Sequence, residues 1–168
     1  ASGTKIKIMN GTTGADVSEI DRDASVISGG TFFLNDVEVS VNGVILAGNL
    51  TTNASTSPFK IYKWDTETST PTLYATYSDE ALRMGDYFTV SGDISGEAVI
   101  FAGGSGKLVR WIVTAGVLGA PTTITLADTH NPSSIVAYPQ TIDANPSFFV
   151  NSGGQSIRKY NSDGTSAG

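Results

Sequence analysis

The amino-acid sequence predicts an all-β fold of β-propeller-like blades, each of four antiparallel strands, with about three blade equivalents in the chain. Three observations lead there. Helical periodicity is nearly absent from the 168 residues, where only 24–27 and 78–84 have room for a turn or two. Thr, Ser, Val and Ile fill the stretches between Gly, Asn and Asp, and β-branched side chains lose little in an extended backbone. Finally, one short pattern recurs: Ile6-Lys7-Ile8-Met9-Asn10, Ile61-Tyr62-Lys63-Trp64-Asp65, Leu108-Val109-Arg110-Trp111-Ile112 and Ile157-Arg158-Lys159-Tyr160-Asn161. With Met9, Trp64, Trp111 and Tyr160 aligned, the copies lie 55, 47 and 49 residues apart, close to the roughly 40 to 50 residues of a four-stranded blade.

The recurring pattern marks the third strand of each blade, and the others fall into place around it. Inner strands are expected at 36–41, 87–91 and 134–138, second strands at 44–48, 98–104 and 148–154, and outer strands at 17–20, 72–77 and 122–126. Val37, Val39 and Val41 alternate with Glu38, Ser40 and Asn42, the period of a half-buried strand. Asn42-Gly43 then turns the chain into a second apolar strand, since Asn-Gly readily takes the positive φ of a hairpin. The chain thus reads as a single domain over 1–168: the third and outer strands of a first blade at 4–21, blades at 33–78 and 85–127, and an incomplete blade at 131–168. The first period is long because residues 50–58 insert a Thr/Ser/Asn-rich stretch, expected to be an exposed loop. Stacked blades bury the large residue of each third strand between sheets, so Met9, Trp64, Trp111 and Tyr160 are expected to pack there rather than to stack on sugars. Three blade equivalents do not close a ring of four to eight. The expectation is therefore a piece of a longer polypeptide, or copies that complete a ring by association.

Composition removes several classes of function. The net charge is -6, and ten Lys and Arg are scattered through the chain, leaving no basic stripe to neutralise a phosphate backbone, so nucleic acid is not an expected partner. The apolar runs are far shorter than the roughly 20 residues of a membrane helix, so no transmembrane segment is expected. With no cysteine there is no disulfide, thiolate metal site or thiol nucleophile. Gly103-Gly104-Ser105-Gly106-Lys107 has the look of a phosphate loop, but it leads into a strand, and no helix N-terminus follows to receive an anion. Asp93-Ile94-Ser95-Gly96-Glu97 is too short for a calcium loop and reads as a hairpin turn. The sequons at Asn10, Asn49 and Asn53 are what chance yields in so Asn- and Thr-rich a chain.

Phe59-Lys60-Ile61-Tyr62-Lys63-Trp64, Arg83-Met84-Gly85-Asp86 and Val99-Ile100-Phe101-Ala102-Gly103 together resemble uncharacterised propeller-like repeat domains in exported and surface-lipoprotein chains of Bacteroidetes. The resemblance covers mainly residues 35–126. It implies a secreted or cell-surface bacterial protein of the envelope and carries no catalytic residues with it.

Loops that join outer to inner strands share one rim with the second-to-third loops, and binding sites usually lie on that rim. This places Asp21, Arg22, Asp23, Asn35, Asp36, Asp79, Glu80, Arg83, Asp86, Asp128, His130 and Asn131 together. The ligand-binding candidates are Asp36, Arg83, Asp86, His130 and Asn131. Asp36 and Asp86 take corresponding places at the entrance of successive inner strands. Such carboxylates accept hydrogen bonds from a hydroxyl-rich ligand or hold a hard cation, or they cap turns by accepting backbone N–H bonds. His130, the lone histidine, precedes Asn131-Pro132 and suits a solvated turn. No catalytic residue, metal site or cofactor is assigned. The expected function is a non-enzymatic binding module for a glycan or protein ligand. The alternatives are a polysaccharide-acting enzyme at the channel mouth, using Asp36, Asp86 and His130, and a structural assembly subunit.

Overall fold

Strands and turns account for every regular element in the computed structural model, which describes residues 5–104, 106–127, 132–138, 147–152 and 156–167. Among these residues there is no helix. The first sheet pairs β1 (Ile6–Met9) with β2 (Asp16–Ile20). The second runs β3 (Phe32–Val39), β4 (Ile45–Leu50), β5 (Phe59–Trp64) and β6 (Thr72–Tyr77) in chain order. In the third, β7 (Met84–Gly92), β8 (Ala98–Gly104) and β9 (Lys107–Thr114) are followed by an outer position shared between β10 (Val117–Leu118) and β11 (Thr122–Thr125). The last sheet is β12 (Pro132–Tyr138), β13 (Ser147–Ser152) and β14 (Ile157–Tyr160). All pairings are antiparallel. Neither stretch with room for a helical turn forms a helix. Residues 23–27 make one turn, with the Ile27 N–H on the Asp23 carbonyl at 3.0 Å, and the approach to Met84 is irregular coil.

One register recurs in three sheets. Val39 pairs with Ile45 and Ile45 with Trp64; Val90 pairs with Ile100 and Ile100 with Trp111; Ala137 pairs with Phe148 and Phe148 with Tyr160. Each ladder crosses three strands and ends on the aromatic of the third.

Three hydrophobic cores lie between the four sheets. Trp64, Tyr62, Ile45 and Ala47 pack with Ile20, Ile27 and Leu34, against Ile6 and Ile8 of the first sheet. Leu46, Phe59, Ile61 and Tyr77 of the second sheet meet Phe88, Ile100 and Trp111 of the third. Tyr87, Val99, Phe101 and Leu108 of the third meet Ile135, Phe148 and Tyr160 of the last. Because neighbouring side chains of a strand point to opposite faces, β8 sends Ala98, Ile100 and Ala102 to one core and Val99 and Phe101 to the other. Aromatic pairs cross two of the seams: Phe59 lies 6.3 Å from Trp111 and Phe101 lies 5.1 Å from Phe148. Polar tips find partners as well, with the Trp64 indole N–H donating to the Asp21 carbonyl at 2.8 Å and the Tyr62 hydroxyl to the Ser28 carbonyl at 2.9 Å.

Three of the four aligned large residues therefore share one address, buried and turned toward the preceding sheet. Met9 is the exception and is 56% exposed. It lies on the side of β1 opposite Ile6 and Ile8, and no described sheet covers that side. A second difference concerns β3. The hairpin forms as expected, with the Ser40 N–H on the Val44 carbonyl and Gly43 at φ 86°, but Val37 and Val39 lie on the exposed face while Glu38 and Ser40 turn inward. The 50–58 stretch also differs from an exposed loop. Thr51 and Ala54 are buried, Thr51 exchanges two backbone bonds of 2.9 Å with Met84, and the Ala54 N–H reaches the Leu82 carbonyl at 2.8 Å. The insertion fastens the second sheet to the start of the third.

Burying a tryptophan removes on the order of 200 Å² from water, an upper-bound stabilisation of ~5 kcal/mol. Trp111→Ala is expected to lower stability by about 3–5 kcal/mol, whereas Met9→Ala should stay within about 0.5 kcal/mol. Urea titration followed by tryptophan fluorescence or circular dichroism measures both.

Candidate functional site

The first strands of the sheets after the first lie against one another: β3 packs beside β7, and β7 beside β12. No ladder joins β3 to β7, so polar side chains and loop backbone bridge them. The Asp36 carboxylate accepts the Phe88 N–H through Oδ2 at 3.0 Å and the Val37 N–H through Oδ1 at 2.9 Å. Beside it the Asn35 amide donates to the Gly85 carbonyl at 2.7 Å. Gly85 is required there, since its φ is 90° and a Cβ would lie 1.9 Å from the Asn49 carbonyl oxygen. Asn49, fully buried, donates its amide to the Pro58 carbonyl at 3.2 Å and accepts the Lys60 N–H at 2.8 Å.

Arg83 precedes β7, and its guanidinium grips both oxygens of Asp86 at 2.6 Å. This bond holds the Arg83 pKa above its ordinary value. The pair is partly open to solvent, with side-chain exposures of 44% and 27%. Glu80 and Lys107 form a second ion pair on the same approach. The Tyr87 hydroxyl is buried without a hydrogen-bond partner, and burial together with the Asp86 charge pushes its pKa up, so the phenol stays neutral. Half-burial, with Asp36 adjacent, raises the Glu38 carboxyl above its usual range.

Asn35 and Asp36, midway along β3, thus bond the backbone of β7 at Gly85 and Phe88, and the Arg83–Asp86 pair lies at the start of that strand. Asn35 stood among the rim residues but not among the binding candidates; its place directly before Asp36 on an inner strand was the available signal. His130, Asn131 and Asp128 lie outside the described residues. Turn capping accounts for much of the remaining acidity: Asp21 accepts the Asp23 N–H at 3.0 Å, Asp23 accepts the Ser25 N–H at 2.9 Å, and Asp93 accepts the Ser95 N–H at 2.8 Å. Residues 93–97 form the expected hairpin turn, closed by the Asp93 N–H on the Glu97 carbonyl at 2.8 Å. Gly103-Gly104 sit in β8 and run on into β9. Among the described residues, no three His, Cys, Asp or Glu side chains converge as a metal would need, and no helix is long and apolar enough to cross a membrane.

Two outcomes follow from this geometry. Asp36→Ala strips the buried Phe88 N–H of its acceptor and is expected to cost about 1–3 kcal/mol, while Arg83→Ala, which breaks a partly exposed pair, should cost at most about 1 kcal/mol. Urea midpoints distinguish the two. For Glu38 the folded state holds its proton more tightly than the unfolded chain does. Its contribution therefore favours folding below the unfolded pKa and is lost as pH rises through the folded one. Glu38→Gln should flatten that decline, read as urea midpoints from pH 4 to pH 8.

No curated protein matches this sequence. Among solved structures, a DUF4623 family protein from Bacteroides eggerthii DSM 20697 superposes with a TM-score of 0.70 at 19% identity, over 89% of this chain and 35% of that one. The chain therefore spans about a third of that relative's length, and the likeness is one of fold. A family model, described as a domain of unknown function, DUF8500, matches residues 2–145, and the chain belongs to the DUF8500 family.

Proposed function

We propose that the chain is a run of propeller-type blades and serves as a non-enzymatic binding module of an exported or cell-surface bacterial protein. Its ligand, a glycan or a protein, meets the edge where β7 begins, beside the middle of β3. The observation that carries this reading is the side-by-side packing of β3, β7 and β12, each the first strand of an antiparallel meander, with the same register recurring in the three sheets. In a propeller arrangement Asn35, Asp36, Arg83 and Asp86 would share one rim, a mixture of amide, carboxylate and guanidinium groups that suits hydroxyl- or peptide-rich surfaces. An envelope location is in keeping with an acidic, cysteine-free chain whose solved relative comes from a Bacteroides.

The state of the carboxylates supports a binding module over a polysaccharide hydrolase. A glycosidase needs one carboxyl free to donate a proton and a second to act as base or nucleophile. Here both Asp36 oxygens accept backbone N–H bonds and both Asp86 oxygens accept from Arg83. These groups are engaged in holding the edge together.

Binding of the folded chain to an array of bacterial and host glycans and extracellular peptides, followed by calorimetry on the hits, tests the proposal. Arg83→Ala is expected to weaken binding by roughly tenfold or more, the loss of a charged hydrogen-bonding group, with the urea midpoint almost unmoved. Hydrolysis of any polysaccharide that Asp86→Asn abolishes without loss of stability would overturn it in favour of an enzyme.

A further inference from the structure

One apolar face in the stack lacks the cover that its counterparts have. Val37 and Val39 of β3 pair with Ala47 and Ile45, as Phe88 and Val90 of β7 pair with Ala102 and Ile100, and Ile135 and Ala137 of β12 with Val150 and Phe148. In the later sheets three of these positions are shielded, Phe88 at 3%, Ile135 at 8% and Ala137 at 2% exposed, and Val90 is partly buried. Val37 and Val39 are 45% and 59% exposed. The shielding comes from the first two strands of the sheet before, since β3 and β4 pack on β7, and β7 and β8 pack on β12. Ahead of β3 the described residues offer only β1 and β2, which hold the third and outer positions. The edge of β1 away from β2 pairs with no described strand. Between that edge and β3 lies a cleft of about 260 Å³ lined in part by Ile6, Lys7, Leu34, Asp36, Val37 and Ala47.

We infer that this cleft receives an antiparallel β-hairpin of the same repeat, supplied by further sequence of the same polypeptide. This deepens the blade reading above and rests on it. The second strand of the hairpin adds to the free edge of β1 by main-chain hydrogen bonds, and its alternate apolar side chains cover Val37 and Val39. The chemistry of the occupant is set by what occupies the equivalent places: Leu46 of β4 within the core below β7, and Tyr87, Val99 and Phe101 of β7 and β8 within the core below β12. The cations beside the free edge are neutralised within the first sheet, because Lys7 of β1 and Lys5 just before it pair with Asp16 and Glu19 of β2. The solved relative, matched over 35% of its length, is a chain in which a segment of this fold has room for such neighbours.

The test fuses a copy of residues 84–104, the β7–β8 hairpin, through a short Gly-Ser linker ahead of β1 in the otherwise intact chain. Hydrogen exchange of the β1 amides, resolved by NMR, should slow by roughly tenfold or more in the fusion. Val37→Lys with Val39→Lys should cancel that gain while leaving the urea midpoint of the unfused chain unchanged. Unaltered β1 exchange in the fusion, or protection that survives the two lysines, overturns the inference. Should the fusion fail to fold, the same hairpin added as a free peptide at about 1 mM, the effective concentration of a short tether, gives the decision: unchanged β1 exchange then overturns it equally. The readout is backbone exchange, so its failure is distinguishable from a failure of ligand binding at Arg83.

Discussion

The structure depends on the division of each inner sheet's side chains between two cores. A strand exposes alternate residues to opposite sides, and in β8 both sides are fully apolar, with Ala98, Ile100 and Ala102 on one and Val99 and Phe101 on the other. Such a sheet cannot be stable alone, because at least one apolar face would meet water. It is stable only between two others. The same condition sets the register, since a slip of one residue would exchange the contents of the two cores. With Trp111 facing Phe59 and Phe148 facing Phe101, such a slip would put aromatic rings where alanines now fit.

Stacking alone leaves the inner strands without a ladder between them, and the polar residues supply what is missing. Asn35 and Asp36 reach from β3 to the backbone of β7, and Thr51 and Ala54 tie the 50–58 stretch to the approach to β7. These bonds bring the start of β7 against β3 in a fixed position, and with it the Arg83 and Asp86 pair. On the binding reading proposed above, the groups that would meet a ligand are held by the contacts that close the seam between two sheets. A ligand meeting this edge would find its partners ordered in advance, which lowers the entropic cost of binding.

Much of this was legible in the sequence. The strands appear within a few residues of where composition and spacing put them, and the turns at Asn42-Gly43 and Asp93 are as expected. Asp86 lies near the start of β7, whereas Asp36 lies midway along β3. Their partners were not legible, because Phe88 lies 52 residues from Asp36 and no local pattern announces a backbone N–H that lacks a ladder partner. The burial of Ala54 and Thr51 was hidden for a similar reason: a Thr/Ser/Asn-rich stretch looks solvated until another sheet's edge passes beside it.

What the residues determine by themselves is local. Period-two alternation, β-branched content and glycine turns set where strands run and where they reverse, since these follow from backbone sterics within a few residues. What tertiary structure decides is which side of each strand is inside. Val39, Val90 and Ala137 hold one address in three sheets, yet Val39 is 59% exposed and Ala137 2%. Burial belongs to the surface that lies opposite, and a single strand carries no record of that surface.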